Sequence, residues 1–282
     1  MATRYGGRTE SKNVNRWLSD PQIAVPYVAP SVPSTTIATL TADPAAHTYG
    51  AWVELIASLP ADTSMLSIYV SGIRVNGTDT ASVVSLGFGG SGSETEFVYF
   101  ATGGVGEAGV TYTTGVFLQL PIALLSGTRI AARFQSRLTT SPTARINVTS
   151  FSADPTTFPT INKTIDSLGV TLATSVGTDI ATANTYSEVV SSTSQPYRGL
   201  VMVPSAASAT LGSAQGSMTV AVGPSSSESD IGSIFINSFS GEMITAAPSF
   251  FIPRFIPAGS RLSVKQSIAS TAYDVTLLGI PF

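Results

Sequence analysis

The chain has 282 residues, of which 43% are hydrophobic and only 11% charged, with a formal net charge of −3; the usual charged share is about 25%. That length fits two ordinary domains, each able to bury its own core, and the hydrophobic share excludes a disordered chain. There is no cysteine and a single histidine, His47, which excludes a disulfide framework, a thiol nucleophile, a thiolate metal site and any multi-histidine metal site. Ser, Thr, Gly and Ala take the places that Lys and Glu usually fill, a balance that favours strands over helices. A surface so poor in charge resists association weakly, which suits a chain covered by neighbours.

Residues 1–34 read as an extended arm. They hold four basic and two acidic residues, whereas the rest of the chain holds ten and fifteen. Gly6-Gly7 and Pro21, Pro26, Pro30 and Pro33 favour an extended course over a packed core. Met1 to Asp20 is polar, so no secretory signal is expected, and no stretch reaches the roughly 18 apolar residues of a membrane span. Arg4, Arg8, Lys12 and Arg16 recur every fourth residue, with Trp17 beside the last. On one helix they would form a basic stripe suited to phosphates. The glycine pair argues against that helix, and the net negative charge argues against nucleic acid. The expected role of these five residues is to dock the arm on an acidic protein groove, in a partner subunit or in the chain's own first domain.

A first domain is expected over 35–154. Trp52–Ile56, Met65–Val70, Ser82–Phe88, Glu96–Phe100, Val116–Leu120, Arg129–Gln135 and Ala144–Phe151 read as strands, being short, rich in β-branched and aromatic residues, and bounded by turn formers. Asn76-Gly77 is a turn signal. Residues 155–167 read as a linker. A second domain over 168–282 carries strands at Glu188–Ser191, Gly199–Val203, Ser217–Val222, Gly232–Phe239, Ser249–Pro253, Arg261–Gln266 and Ala272–Leu278. Gly279-Ile280-Pro281-Phe282 is expected to close an edge or dock on a neighbour. Short strands at regular spacing predict an all-β fold of two tandem antiparallel β-sandwich or jelly-roll-like domains.

The second domain repeats the first. Leu120-Pro121-x-x-Leu124-x-x-Gly127-Thr128-Arg129-Ile130-x-x-Arg133 lies over Ile252-Pro253-x-x-Ile256-x-x-Gly259-Ser260-Arg261-Leu262-x-x-Lys265 at an offset of 132 residues. Two further matches, Thr36–Thr39 with Thr171–Thr174 and Thr48-Tyr49-x-x-x-Val53 with Thr185-Tyr186-x-x-x-Val190, extend it. Such self-similarity marks a duplicated unit. Pro121 and Pro253 suit a strand start or an edge, and Gly127 and Gly259 a turn closed to other residues. In the segment that follows, Arg129, Ala131 and Arg133 share one face and Ile130 and Ala132 the other, which predicts a strand with one wet face. The arginines read as paired surface positions, not ligands.

Little here reads as chemistry. A Ser–His–acid triad would have to use His47, which reads instead as a surface residue ahead of a strand. Gly87-Phe88-Gly89-Gly90-Ser91-Gly92 matches a dinucleotide fingerprint, but that motif needs a helix and the next segment reads as a strand. It is therefore expected to be a hairpin loop, as is Gly103-Gly104-Val105-Gly106. The acid pairs Glu94/Glu96 and Glu228/Asp230 are the densest, open to glycoside cleavage or calcium, and are expected to be solvated turn acids. No catalytic residue, cofactor or metal site is expected.

The block Pro-x-x-(Ile/Leu)-x-x-Gly-(Ser/Thr)-Arg-(Ile/Leu), clearest in Phe255-Ile256-Pro257-Ala258-Gly259-Ser260-Arg261-Leu262, resembles structural proteins of tailed bacteriophage particles. The first copy departs from it at Leu125-Ser126. The resemblance implies a multicopy β-sandwich virion protein anchored by its arm, contacting other virion proteins and copies of itself. It transfers no functional residues. The expected function is thus non-enzymatic: a tail, neck or fibre component assembled in the host cytoplasm. The alternatives are a capsid decoration or cement protein, and a module binding host-surface glycans through Tyr99, Tyr112, Tyr197 and Phe250 as stacking faces. A depolymerase is the remaining and least supported expectation.

Overall fold

The computed structural model describes residues 37–71, 81–102, 116–152, 164–205, 214–239, 242–245, 249–268 and 273–282. The arm with Arg4, Arg8, Lys12, Arg16 and Trp17 lies outside them, as do the Asn76-Gly77 turn, the Gly103–Gly106 loop and Tyr112. Every regular element among the described residues is a strand.

The first half holds β1 (Ala38–Thr41), β2 (Val53–Ile56), β3 (Thr63–Ser71), β4 (Ser82–Phe88), β5 (Thr95–Thr102), β6 (Val116–Leu124), β7 (Ile130–Ser136) and β8 (Thr143–Ser152). They form two antiparallel sheets in the orders β1-β8-β3-β6 and β2-β7-β4-β5, the arrangement of an eight-stranded jelly roll. Period-2 alternation explains the layering. On β3, Leu66, Ile68 and Val70 are fully buried while Tyr69 faces out. The glycine-rich segment after β4 is a hairpin loop leading directly into β5. Pro121 sits within β6, an edge strand, where its missing N–H breaks no interior ladder.

The second half holds β9 (Asp166–Leu168), β10 (Thr178–Ile180), β11 (Ser187–Val190), β12 (Tyr197–Ser205), β13 (Ala214–Val222), β14 (Ser229–Phe239), β15 (Glu242–Thr245), β16 (Phe250–Ile252), β17 (Leu262–Gln266) and β18 (Tyr273–Pro281). Its sheets run β10-β18-β12-β16, with β9 also on β18, and β11-β17-β13-β14-β15. The first eight-strand pattern thus recurs, with β9 and β15 added. Residues 166 and 167, placed in the linker by sequence, already belong to β9.

Two of the sequence matches need correction. The registers pair Glu54 with Ala131 and Glu188 with Ser263, each followed by a register shift. Glu54 therefore corresponds to Glu188, and Trp52, not Tyr49, to Tyr186. The Thr171–Thr174 match also fails: Ala38 and Thr39 lie in β1, whereas Thr171 to Val176 form a turn closed by a bridge between those two residues. The C-terminal Gly279-Ile280-Pro281 likewise closes no edge. It continues β18, an interior strand flanked by β12 on one side and by β9 and β10 on the other.

β18 and β12 are buried almost throughout. On one face Leu200, Met202, Val275 and Leu277 fill the second core. On the other, Val201, Val203, Leu278 and Ile280 belong to the first core, with Leu86, Phe97, Phe100 and Ile165. The halves thus share a wall. β5 is an edge strand of its sheet, and the second half satisfies its outer row of polar groups. Ile165 N–H donates to the Phe97 carbonyl at 2.8 Å, Tyr99 N–H to Ser167 Oγ at 3.0 Å, and Ala101 N–H to Thr276 Oγ1 at 3.2 Å. A second contact brings the Thr171–Val176 turn onto the end of β7. There Gln135 Nε2 donates to the Leu172 carbonyl at 2.7 Å and to Ser175 Oγ at 2.9 Å. Half-buried His47 meets the same Ser175 Oγ through Nδ1 at 2.9 Å, so it is an inter-half contact and not the free surface residue expected.

A shared wall predicts one cooperative unit. Leu278→Ala should cost about 2–5 kcal/mol, as core truncations do. Calorimetry on the parent and the variant should show a single transition in each, displaced to lower temperature in the variant. Two separable transitions in the parent would contradict the shared core.

Candidate functional site

The repeated block builds the most elaborate side-chain cluster in each half. Gly127 and Gly259, both at φ +80°, turn the chain into β7 and β17; a side chain is strained in that left-handed region. The turns are tied back by backbone bonds, Gly127 N–H to the Leu59 carbonyl and Gly259 N–H to the Thr193 carbonyl, each 2.8 Å. The next residue but one is the arginine. Arg129 donates from Nε to Glu54 Oε2 and from Nη1 to Glu94 Oε1, both at 2.8 Å, and from Nη1 to the Gly89 carbonyl at 3.3 Å. Arg261 repeats this with Glu188 Oε2 at 2.6 Å, Glu228 Oε1 at 2.9 Å and the Gly223 carbonyl at 3.2 Å. Each guanidinium therefore clamps together the turn it follows, the β2-type strand and the loop of the next hairpin.

Glu94 and Glu228 are not the solvated turn acids that the sequence suggested. Their side chains are only 2% and 6% exposed. Burial alone would raise the Glu94 carboxyl. The bond and charge of Arg129 with the surrounding backbone amides outweigh it and hold the group below the usual carboxylate range. For Glu228 its own backbone amide and Arg261 do the same against burial.

Four residues beyond each clamp a second cation closes the face. Arg133 pairs with Glu96 at 3.0 Å and lies 4.1 Å from the Tyr49 ring and 4.4 Å from the Trp52 ring. Lys265 pairs with Asp230 at 3.1 Å, donates from Nζ to Tyr186 Oη at 2.7 Å and lies 4.4 Å from that ring. Rings cover what the sequence pattern predicted to be a wet face: Ala131 and Ser263, between the cations, are fully buried. The sequence named the arginines and the acids of the hairpin loops but missed Glu54 and Glu188. The offset of Glu94/Glu228 and Glu96/Asp230, applied to the β2 region, picks out both.

A different feature lies where the halves meet. A cleft of about 380 Å3 is walled by β5 from Glu96 to Tyr99, by Thr164 to Leu168, and by Val190, Ser192 and Ser194. At its margin one oxygen of Asp166, Oδ2, accepts three hydrogen bonds, from Ser194 Oγ at 3.0 Å, Gln195 Nε2 at 3.1 Å and Tyr197 Oη at 2.5 Å. Glu96 is pinned through Oε2, by Arg133 and by a short bond from Ser85 Oγ. Burial, then the nearby Glu96 and Asp166 charges, raise the Tyr99 phenol above its ordinary value, so it stays a hydrogen-bond donor at neutral pH. Of the aromatics considered as stacking faces, half-buried Tyr99 lines this cleft, Tyr197 is fully buried, and Phe250 packs against the second core. Among the described residues no group of three or more His, Asp and Glu side chains is placed to hold a metal ion.

No family model and no curated protein matches the chain. Among solved structures, it is similar to the STIV MCP, a viral major capsid protein, at 8% identity and TM-score 0.34, covering 86% of this chain and 96% of that one. It is similar to a peptide-N(4)-(N-acetyl-β-D-glucosaminyl) asparagine amidase at 8% identity and TM-score 0.37, over 88% and 97%. A third is the tandem CBM22-1–CBM22-2 domain of Paenibacillus barcinonensis Xyn10C, at 10% identity and TM-score 0.24, over 82% and 83%. Likenesses at these identities transfer no residue roles.

The clamps set an expectation for pH. Carboxyls lowered in the folded state bind fewer protons than in the unfolded chain. Their contribution is therefore complete above the ordinary Glu value of about 4.3 and is lost as pH falls through the lower folded value. Arg129→Met with Arg261→Met should lower the melting temperature clearly at pH 7 and much less at pH 3. Melting curves of parent and double variant from pH 7 to pH 2.5 should converge toward the acid end; parallel curves would deny the clamps their electrostatic role.

Proposed function

We propose that the chain is a non-enzymatic structural component of a virus particle, of the tail, neck or fibre, assembled in multiple copies through its sheet edges and its N-terminal arm. The observation that carries this is how the charge is used. The cations of the repeated block, Arg129, Arg133, Arg261 and Lys265, are all engaged by carboxylates of their own half. The described surface also offers apolar side chains and open edges: Ile37, Tyr69, Phe235, Phe255 and Phe282 are exposed, and β1, β2, β11 and β15 end their sheets. Phe255 and Phe282 stand together edge to face at 5.6 Å. Open edges and exposed aromatics are what a chain presents to neighbours. The basic arm, followed by a body of opposite net charge, adds complementarity between copies.

Sedimentation velocity on the full chain and on a chain lacking residues 1–34 tests this. The full chain should form a discrete oligomer that grows with concentration, and the truncated chain should stay folded and sediment as a monomer. A full chain that remains monomeric at every concentration, or a truncated one that assembles equally well, would overturn the proposal.

A further inference from the structure

The inter-half cleft has a construction that neither clamp shares. Its lining combines the apolar residues Val98, Leu168 and Val190 with the exposed hydroxyls of Thr164, Ser192 and Ser194. Its volume of about 380 Å3 falls in the range of small-ligand sites, roughly 300–1,000 Å3. The two carboxylates beside Tyr99 are each fixed through a single oxygen. Glu96 Oε1 and Asp166 Oδ1 take no part in those bonds and are therefore oriented acceptors. Among the described residues no lysine or arginine lines the cleft, so a phosphate, sulfate or carboxylate ligand would meet only like charge from them. Glu96 is already balanced by Arg133, and a buried ammonium would lose its water against the apolar part of the lining. What fits is a group with an apolar ring face and many neutral hydroxyls.

We propose that this cleft binds a neutral, polyhydroxylated ligand, a glycan, stacked on the Tyr99 ring with its hydroxyls donating to Glu96 and Asp166. The site exists only because both halves contribute: β5 supplies Tyr99 and Glu96, and the connecting strand and the loop after β11 supply the rest. It does not depend on the assembly reading, since a particle component and a free protein would bind alike.

The test is an array of neutral, sialylated and sulfated oligosaccharides probed with the full chain, then calorimetric titration with the strongest neutral member. Saturable binding to neutral oligosaccharides is expected, without binding to the anionic ones. Tyr99→Ala should weaken it about tenfold, the scale of a lost aromatic contact. Ser192 is exposed on the rim, so Ser192→Trp should block the cleft and abolish binding with the melting temperature unchanged, whatever Tyr99→Ala does to folding. Phe235→Ala, at an exposed aromatic that does not line the cleft, should bind like the parent. The proposal is overturned by an array silent for every neutral oligosaccharide, by a preference for the anionic ones, or by Ser192→Trp binding like the parent. Capture of a lysine-rich peptide that Ser192→Trp abolishes would also overturn it, assigning the cleft to a basic protein segment.

Discussion

A sheet buried on both faces must be largely apolar on both, and β12 and β18 meet that demand with only Asp274, Thr276 and Ser205 as buried polar side chains. Leu200, Met202, Val275 and Leu277 fill one core, and Val201, Val203, Leu278 and Ile280 the other. Water is excluded from both sides of this wall at once, so neither half can leave the other without exposing it. The remaining inter-half features follow from that. β5 can end its sheet without a strand partner because the second half caps its N–H and C=O groups. The connecting strand β9 is held between β18 and β5, and the cleft is the gap left at the margin where the wall stops. Gly279 shows how closely the wall is fitted: a Cβ there would come within 2.6 Å of the Tyr197 ring, whose hydroxyl holds Asp166.

The clamps work within each half, and their duplication shows which parts of the design are fixed. Arginine, both glutamates and the carbonyl partner are the same in the two copies. The neighbouring cation varies together with its surroundings. Arg133, with its flat guanidinium, sits against two rings and a glutamate, whereas the compact ammonium of Lys265 meets one ring and the shorter Asp230. A guanidinium offers two faces for stacking and an ammonium offers none, so the aromatic count follows the cation.

Much of the architecture was legible because long, alternating strands carry their own signal; Ser82–Phe88 was read from sequence with the bounds that β4 has. β1, β9, β10 and β15 were not. Asp166-Ser167-Leu168 and Thr178-Asp179-Ile180 have no pattern of their own and become strands because β18 offers them a ladder. The offset between copies misled in the same way. It is 132 residues in the Gly-Ser/Thr-Arg block but follows Glu54 to Glu188 in the β2 region, and a Thr-Tyr coincidence concealed the difference. Of the sites, the arginines were visible and their partners were not, because Glu54 and Arg129 are 75 residues apart and meet only through the fold. The apolar stretch Leu277-Leu278-Gly279-Ile280 in β18 was the available sign of burial on both faces, although its last residues read as an edge.

The position of β18 also bears on how the protein comes into being. It leaves the ribosome after every strand it pairs with. At roughly 5–20 residues per second, β12 must wait several seconds with both apolar faces uncovered before its central neighbour arrives. The first jelly roll has all eight of its strands by then and offers one of those faces a surface to rest on. The earlier half thus acts as a template that shelters the later one during synthesis, and reversing the order of the halves would remove that protection while leaving every native contact unchanged.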